Sequence, residues 1–172
     1  AHCVYCSDAD LALMKARDVT VMNCPRVFAR NGKTAAFGRF EAADLRVMVA
    51  TDGYNMDLIG ELNAAAMISK LASGDPRAAS APALVNSVTL AGAQALGRPD
   101  LGRIRPGAKA DLTVCDMTHP HLQPHYDPMR ALVSLGNRSA VGMVMVDGRV
   151  LVRDGRLVVA DGAALTEAGA AA

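Results

Sequence analysis

Two hydrophobic patterns divide this chain. Up to about residue 97, short apolar runs alternate with stretches in which apolar residues return every three or four positions. The segments "VTVMNCP" (19–25) and "RVMVATDG" (46–53) begin as nearly unbroken apolar runs and end in polar residues. Runs without alternation read as parallel strands covered on both faces, since neither face meets water. Between and around them lie helical patterns. "SDADLALMKARD" (7–18) opens like a capping box, with Ser7 as cap and Asp10 three residues later, followed by Leu11, Met14 and Lys15 on helical spacing. "FEAAD" (40–44) is a short helix, and "NMDLIGELNAAAMISKLAS" (55–73) a longer one with Leu58, Leu62 and Ala65 as its buried stripe. "GDP" ends it, and "APALVNSVTLAGAQALG" (81–97) reads as one or two further helices closed by Gly97.

Near residue 101 the pattern changes. "LGRIRPGAKADLTVCD" and "AVGMVMVDGRVLVRDGRLVVADG" are short β segments punctuated by Pro-Gly and Asp-Gly turns, which is antiparallel material. The final "GAALTEAGAAA" reads as a frayed helical tail. The expected organisation is therefore an α/β segment over 1–97, a β segment over 98–160 and a tail over 161–172. Three parallel strands cannot close a barrel, which takes eight strands and ~250 residues, so their apolar faces would lie open in this chain alone. The pattern thus reads as the back end of a larger fold.

Composition adds limits. The 172 residues are 51% hydrophobic but only 3% aromatic, with no Trp, so the core must be built from Ala, Val, Leu and Met. A mean hydropathy of +0.18 is ample for a packed core. A formal charge of +1 gives no electrostatic reason to expect nucleic acid or an anionic membrane as partner. No apolar run approaches the ~20 residues that span a bilayer, and no signal peptide opens the sequence. The four cysteines do not form a secreted disulfide pattern, so a reducing, cytoplasmic setting is expected.

Candidate chemistry gathers where strands end: His2, Asn23, Cys24 and Asp52. An acid directly after a buried strand sits at the rim, where a carboxylate can bind a metal and pass a proton. Spacing alone leaves equally open that Asp52 caps the next helix or forms the Asp-Gly turn. His2 with Cys3 and Cys6 has the look of a zinc knuckle, or His2 belongs to a larger site. Arg26, Arg30 and Lys33 could grip an anionic or carbonyl group, or be solvated loop charges. In "HPHLQPH", His119, His121 and His125 suggest a metal cluster, but prolines hold that stretch extended between β segments, and it reads as a surface loop. Lys109 and Asp111 read as turn and edge residues.

"AHCV", "NCP" one helix later, and "ATDG" before a helix containing Glu61 resemble the amidohydrolase superfamily. The resemblance is to the branch holding cytosine, guanine and methylthioadenosine deaminases and triazine chlorohydrolases. "VTLAGAQALG", "GRIRPGAKADLTVCD" and "VMVDGRVLVRDG" are similar to the closing segments of that family, so the match runs from residue 1 to about 160. It implies the C-terminal part of a TIM-type β/α barrel whose sixth, seventh and eighth strands end at His2, Asn23 and Asp52, followed by a small antiparallel β-sandwich segment. Asp52 becomes a metal ligand and proton shuttle, and His2 contacts the hydrolytic water or the substrate. Cys3 and Cys6 then become ordinary small buried residues. Asn23 and Arg26 are assigned to substrate binding. The implied cofactor is a divalent metal, zinc or alternatively iron.

The same resemblance puts the family's His-x-His pair, fifth-strand histidine and general acid/base glutamate before residue 1. One carboxylate cannot hold a catalytic zinc, so the missing barrel half is expected in the same or another chain. The family commonly reads Pro-x-Ser-Asn after the seventh strand, whereas Val27 and Phe28 stand here, a departure that bears on substrate choice. The expected activity is hydrolysis of carbon–nitrogen bonds, deaminating a small amino-substituted N-heterocycle. The alternatives are amide cleavage of the imidazolonepropionase or dipeptidase kind, and a non-catalytic fragment or assembly subunit. Self-association into a homo-oligomer stays open.

Overall fold

The structure, a computed structural model, describes residues 1–170 apart from Tyr54; the end of the expected tail helix, residues 171–172, lies outside the described residues. The chain runs through helix α1 (Asp8–Ala16), strand β1 (Thr20–Asn23), helices α2 (Pro25–Ala29) and α3 (Phe37–Ala42), and strand β2 (Arg46–Val49). Helices α4 (Leu58–Ser73), α5 (Ala81–Ser87) and α6 (Leu90–Ala95) follow, then β3 (Leu112–Cys115) and α7 (Pro128–Leu135). Strands β4 (Val141–Val146), β5 (Arg149–Arg153) and β6 (Arg156–Leu157) and helix α8 (Gly162–Ala170) complete it.

The local signals explain these boundaries. The Ser7 hydroxyl accepts the Asp10 amide while the Asp10 carboxylate accepts the Ser7 amide, so the capping box forms in full and starts α1. Asp57 caps α4 by accepting the Gly60 amide at 3.0 Å, and Gly74, at φ +68°, stops that helix in the left-handed region.

β1 and β2 pair in parallel, from Thr20 opposite Arg46 to Asn23 opposite Val49. Only one face of this pair is fully covered. Val21, Asn23, Val47 and Val49 are buried, whereas Met22 on the other face is 41% exposed. Cover on both faces, expected from the unbroken apolar runs, is therefore only partly realised within this chain: Met48 of the second face lies near Gly92 of α6, but Met22 beside it stays open. The core on the covered side joins Val21, Phe37, Phe40, Val47, Val49, Leu62, Ala65, Leu84 and Val133.

The expected strand ending at His2 is also absent. Residues 1–3 form no strand, and the His2 amide makes a single ladder-like bond, donating to the Met22 carbonyl at 2.7 Å. Too few residues lie beside β1 there for a ladder to propagate. The stripe expected on α4 is corrected as well: Leu62 and Ala65 are buried, but Leu58 is exposed and Glu61 is buried in its place.

The later strands form one antiparallel sheet in the order β3–β4–β5–β6. Asp147-Gly148 and Asp154-Gly155 all have positive φ, so the two hairpins turn in the way Asp-Gly pairs permit. Lys109 Nζ bonds Asp147 at 2.7 Å and Asp111 accepts the Asp147 amide at 2.6 Å, fixing the edge and turn as expected of that pair. This is a single layer: among the described residues no second sheet faces it, so the expected β-sandwich is not formed within this chain. A sandwich needs two sheets packed face to face. Between β3 and β4 the chain leaves the sheet, and α7 packs on α4 and α5 of the α/β part. Its start is capped by Asp127, which accepts the Arg130 amide at 3.0 Å, with Pro128 in the first turn. Helix α8 buries no residue.

Phe40 is fully buried in the core, so Phe40→Ala is expected to destabilise the folded chain by about 3–5 kcal/mol, measured by urea unfolding.

Candidate active site

The carboxyl ends of β1 and β2 are level because the strands pair without offset, and the residues beyond them meet there. The Ala50 amide donates to the Asn23 carbonyl at 2.9 Å, extending the contact one step past β2. Asp52 follows in a turn at φ +58°, a conformation aspartate tolerates better than most residues. His2, at φ +66°, is held on the other side of β1 by its bond to Met22. The result is a contact between segments fifty residues apart: His2 Nε2 lies 3.6 Å from Asp52 Oδ2. Their side chains are 30% and 42% exposed, so both remain open to a ligand.

The imidazole is gripped on a second side by Phe28, ring centroids 4.9 Å apart and edge-on at 66°. Its Nδ1 is buried and has no hydrogen-bond partner. His2 and Phe28 line a cleft of about 490 Å³ together with Cys3, Tyr5, Cys6 and Asp10. That volume falls in the range of small-molecule sites. The Lys33 ammonium meets the Tyr5 hydroxyl at this cleft and lies 5.0 Å from the Tyr5 ring centre. Cys3 and Cys6 are half-buried and free, less enclosed than expected.

The helix-capping alternative for Asp52 is answered by geometry, since Asp57 performs that role. The Asp52 carboxylate is left for other work. It also acts on its surroundings: burial pushes the Cys24 thiol up, and the nearby Asp52 and Glu61 carboxylates push it further.

The other two residues assigned to substrate are placed differently. Asn23 is fully buried, its amide donating to the Ala35 carbonyl at 2.7 Å, so it anchors the loop after α2 and presents no surface to a ligand. The Arg26 guanidinium donates to the Gly60 carbonyl at 2.7 Å and stands 3.6 Å from Glu61 Oε1, while the Arg26 amide donates to Glu61 Oε2 at 3.2 Å. Arg26 thereby ties α2 to α4 and lines a separate cleft of about 460 Å³ with Thr51, Asn55, Met67 and Ile68. A side chain at Gly60 would strike the Arg26 guanidinium, which is why glycine stands there. His119 and His121 lie with ring centres 5.2 Å apart, and His125 Nδ1 bonds the Leu122 carbonyl at 3.0 Å. Among the described residues no group of three or more His, Cys, Asp or Glu is arranged to hold a metal ion, the histidine loop included.

Sequence reasoning missed the Arg26–Glu61 tie and the packing of Phe28 on His2. Glu61 sits in an apolar stretch, and a buried acid demands a cationic partner, a signal that could have found Arg26.

An α/β unit with its polar side chains gathered at the carboxyl ends of parallel strands, followed by an antiparallel sheet, describes the class. The chain belongs to the amidohydrolase family, whose model matches residues 1–151. It is 32% identical over 157 residues to the 5-methylthioadenosine/S-adenosylhomocysteine deaminase of Pelotomaculum thermopropionicum, covering 88% of this chain and 36% of that protein. It is 35% identical over 158 residues to the 5'-deoxyadenosine deaminase of Methanosarcina acetivorans, again covering 88% and 36%. An adenosine deaminase from Xanthomonas campestris with bound zinc superimposes with a TM-score of 0.93 at 27% identity, covering 99% of this chain and 40% of that one. Zinc-bound atrazine chlorohydrolase from Arthrobacter aurescens gives 0.84 at 25% identity, covering 99% and 39%. The chain thus spans well under half the length of these relatives.

Burial raises the Glu61 pKa above its ordinary 4.5, against the opposing pull of Arg26. Stability from this group is full below the ordinary carboxylate range and is lost as pH rises through the raised value. Glu61→Gln should flatten that part of the stability profile. Arg26→Ala removes the opposing charge, so its cost should grow with pH toward about 3 kcal/mol. Urea unfolding across pH 4–8 measures both; a pH-independent cost for Arg26→Ala would refute the tie.

Proposed function

We propose that this chain supplies strands six to eight of a β/α barrel, with the segment after about residue 98 forming part of a composite β-sandwich. In this reading the complete enzyme is a cytoplasmic, metal-dependent hydrolase that deaminates a small amino-substituted N-heterocycle. The observation that carries the reading is the 3.6 Å approach of His2 Nε2 to Asp52 Oδ2 at the carboxyl end of β2, with His2 also lining a cleft of small-molecule size. Family membership and the deaminases among the relatives support it.

Among the residues at the strand ends, one has the donor chemistry and the position for such a metal. Asp52 fits as one ligand: it lies at a strand end, is half-exposed and carries no capping duty. A catalytic zinc takes three protein ligands as a rule, so the remaining donors must come from outside residues 1–172, in the same or another chain. When bound, the metal, zinc in this reading, supplies Lewis acidity that makes water a nucleophile near neutral pH.

The chain's own residues do the rest. Asp52 accepts the proton of the attacking water and returns it to the leaving amine. His2 Nε2 donates to the charge that develops on the substrate, a contact stronger in the transition state than before it. Phe28 holds the imidazole edge-on, which spares the site a rearrangement during reaction. Phe28 gives the cleft beside His2 an apolar wall, suited to the face of a flat ring.

In the full-length enzyme, ammonia release from a panel including 5'-methylthioadenosine, guanine and an aminotriazine tests the class. Asp52→Asn should lower kcat and kcat/KM together by at least ~10²–10⁴-fold and reduce bound zinc. His119→Ala, in the β3–α7 loop, should change neither. A fully active Asp52→Asn enzyme would sink the assignment.

A further inference from the structure

Two cysteines beside the site have no part in the chemistry above. Cys3 and Cys6 flank a tight turn in which the Cys6 amide donates to the Cys3 carbonyl at 3.4 Å. A turn of this kind brings its first and fourth Cα atoms within ~7 Å, inside the separation a disulfide spans. Both side chains are half-buried, free and part of the lining of the His2 cleft, so a small reagent that enters the cleft meets both. The Cys3 thiol donates to the Ala1 carbonyl at 3.8 Å, and burial first and the neighbouring Cys6 second push its pKa up. The other two cysteines stand apart: Cys24 is buried behind Asp52, and Cys115 ends β3. The turn begins at the residue after His2, so whatever fixes it reaches the His2–Asp52 pair through one peptide unit.

We propose that Cys3 and Cys6 form a dithiol–disulfide couple at the cleft, exchanging with low-molecular-weight disulfides. One cysteine thiolate attacks such a disulfide, RSSR, forming a mixed disulfide and releasing RS⁻. The second thiolate attacks the protein sulfur of that adduct, forms the Cys3–Cys6 bond and expels the second RS⁻. The two cysteines lose two electrons and two protons; RSSR gains the electrons and, as two RSH, the protons. The ring closed by the bond is short, so little unfolded-chain entropy is removed and the bond stays easily reduced. That is the behaviour of a reversible couple rather than a structural staple. Any effect on turnover rests on the functional reading above; the thiol chemistry does not and is read without activity.

The folded, full-length protein is equilibrated with excess oxidised glutathione, alkylated, unfolded and digested with trypsin. The peptide ending at Lys15 should be lighter by two hydrogens, with neither cysteine alkylated and no glutathione attached. In Cys6→Ser the same treatment should leave a persistent glutathione adduct on Cys3, because the resolving thiol is gone. Cys115→Ser should behave as the parent, and far-ultraviolet circular dichroism shows that each variant is folded. Full alkylation of Cys3 and Cys6 in the parent, or a glutathione adduct that persists there, would overturn the proposal.

Discussion

The zero offset between β1 and β2 governs the geometry of this chain. Parallel strands carry evenly spaced, slanted bonds, and pairing Asn23 with Val49 leaves both strands ending at one level. A shift of one residue would turn Val47 and Val49 away from the core and carry Asp52 out of reach of His2. Four core side chains therefore enforce the register on which the His2–Asp52 contact depends: Val21, Asn23, Val47 and Val49. Packing energy on the covered face is in this way converted into the position of two polar groups at the rim.

The uncovered face is the other consequence of having two strands. The helices of this chain do not shield both faces of the pair fully, and Met22 is left facing outward. The antiparallel sheet, a single layer, also leaves apolar side chains exposed, Val114 on one face and Val146 and Leu157 on the other. Both sheets thus leave apolar side chains open, which supports the reading that they are completed by further protein. The lengths of the relatives agree with it: the aligned region is almost all of this chain but about 36–40% of theirs.

Much of the architecture is legible in the sequence because its signals are local. The Ser7–Asp10 box, the Asp-Gly hairpins and the stop at Gly97 depend on residues a few positions apart, and each takes the expected form. The meeting of His2 and Asp52 follows from strand ends and family resemblance together. What stayed hidden depends on distant partners. The apolar stretch around Glu61 hints at its burial, but Arg26, which makes that burial tolerable, comes from the distant α2, and Leu58 falls outside the buried stripe. Helix α7 has a readable Asp127-Pro128 start, but the histidine- and proline-rich stretch just before it reads as an extended surface loop and hides the helix that follows. Asn23 looks like a ligand-binding residue because it ends a strand, yet alternation turns its side chain to the covered face.

Two buried side-chain atoms among the described residues lack a hydrogen-bond partner: His2 Nδ1 and Asn23 Oδ1. Leaving such an atom unpaired costs about 1–3 kcal/mol, a large fraction of the stability of an ordinary domain. Folding alone would place these costs at random or remove them. Here both fall at the carboxyl end of β1, one in the candidate site and one directly beneath it. The Asn23 amide still secures the loop through Ala35, so its unpaired oxygen is the cost of holding that loop rather than a ligand contact. His2 has no such structural return: its imidazole touches Phe28 and Asp52 and orders no loop. A histidine kept half-buried and incompletely bonded, against a carboxylate it does not fully engage, fits a group held ready for a partner and agrees with the role that its approach to Asp52 suggests.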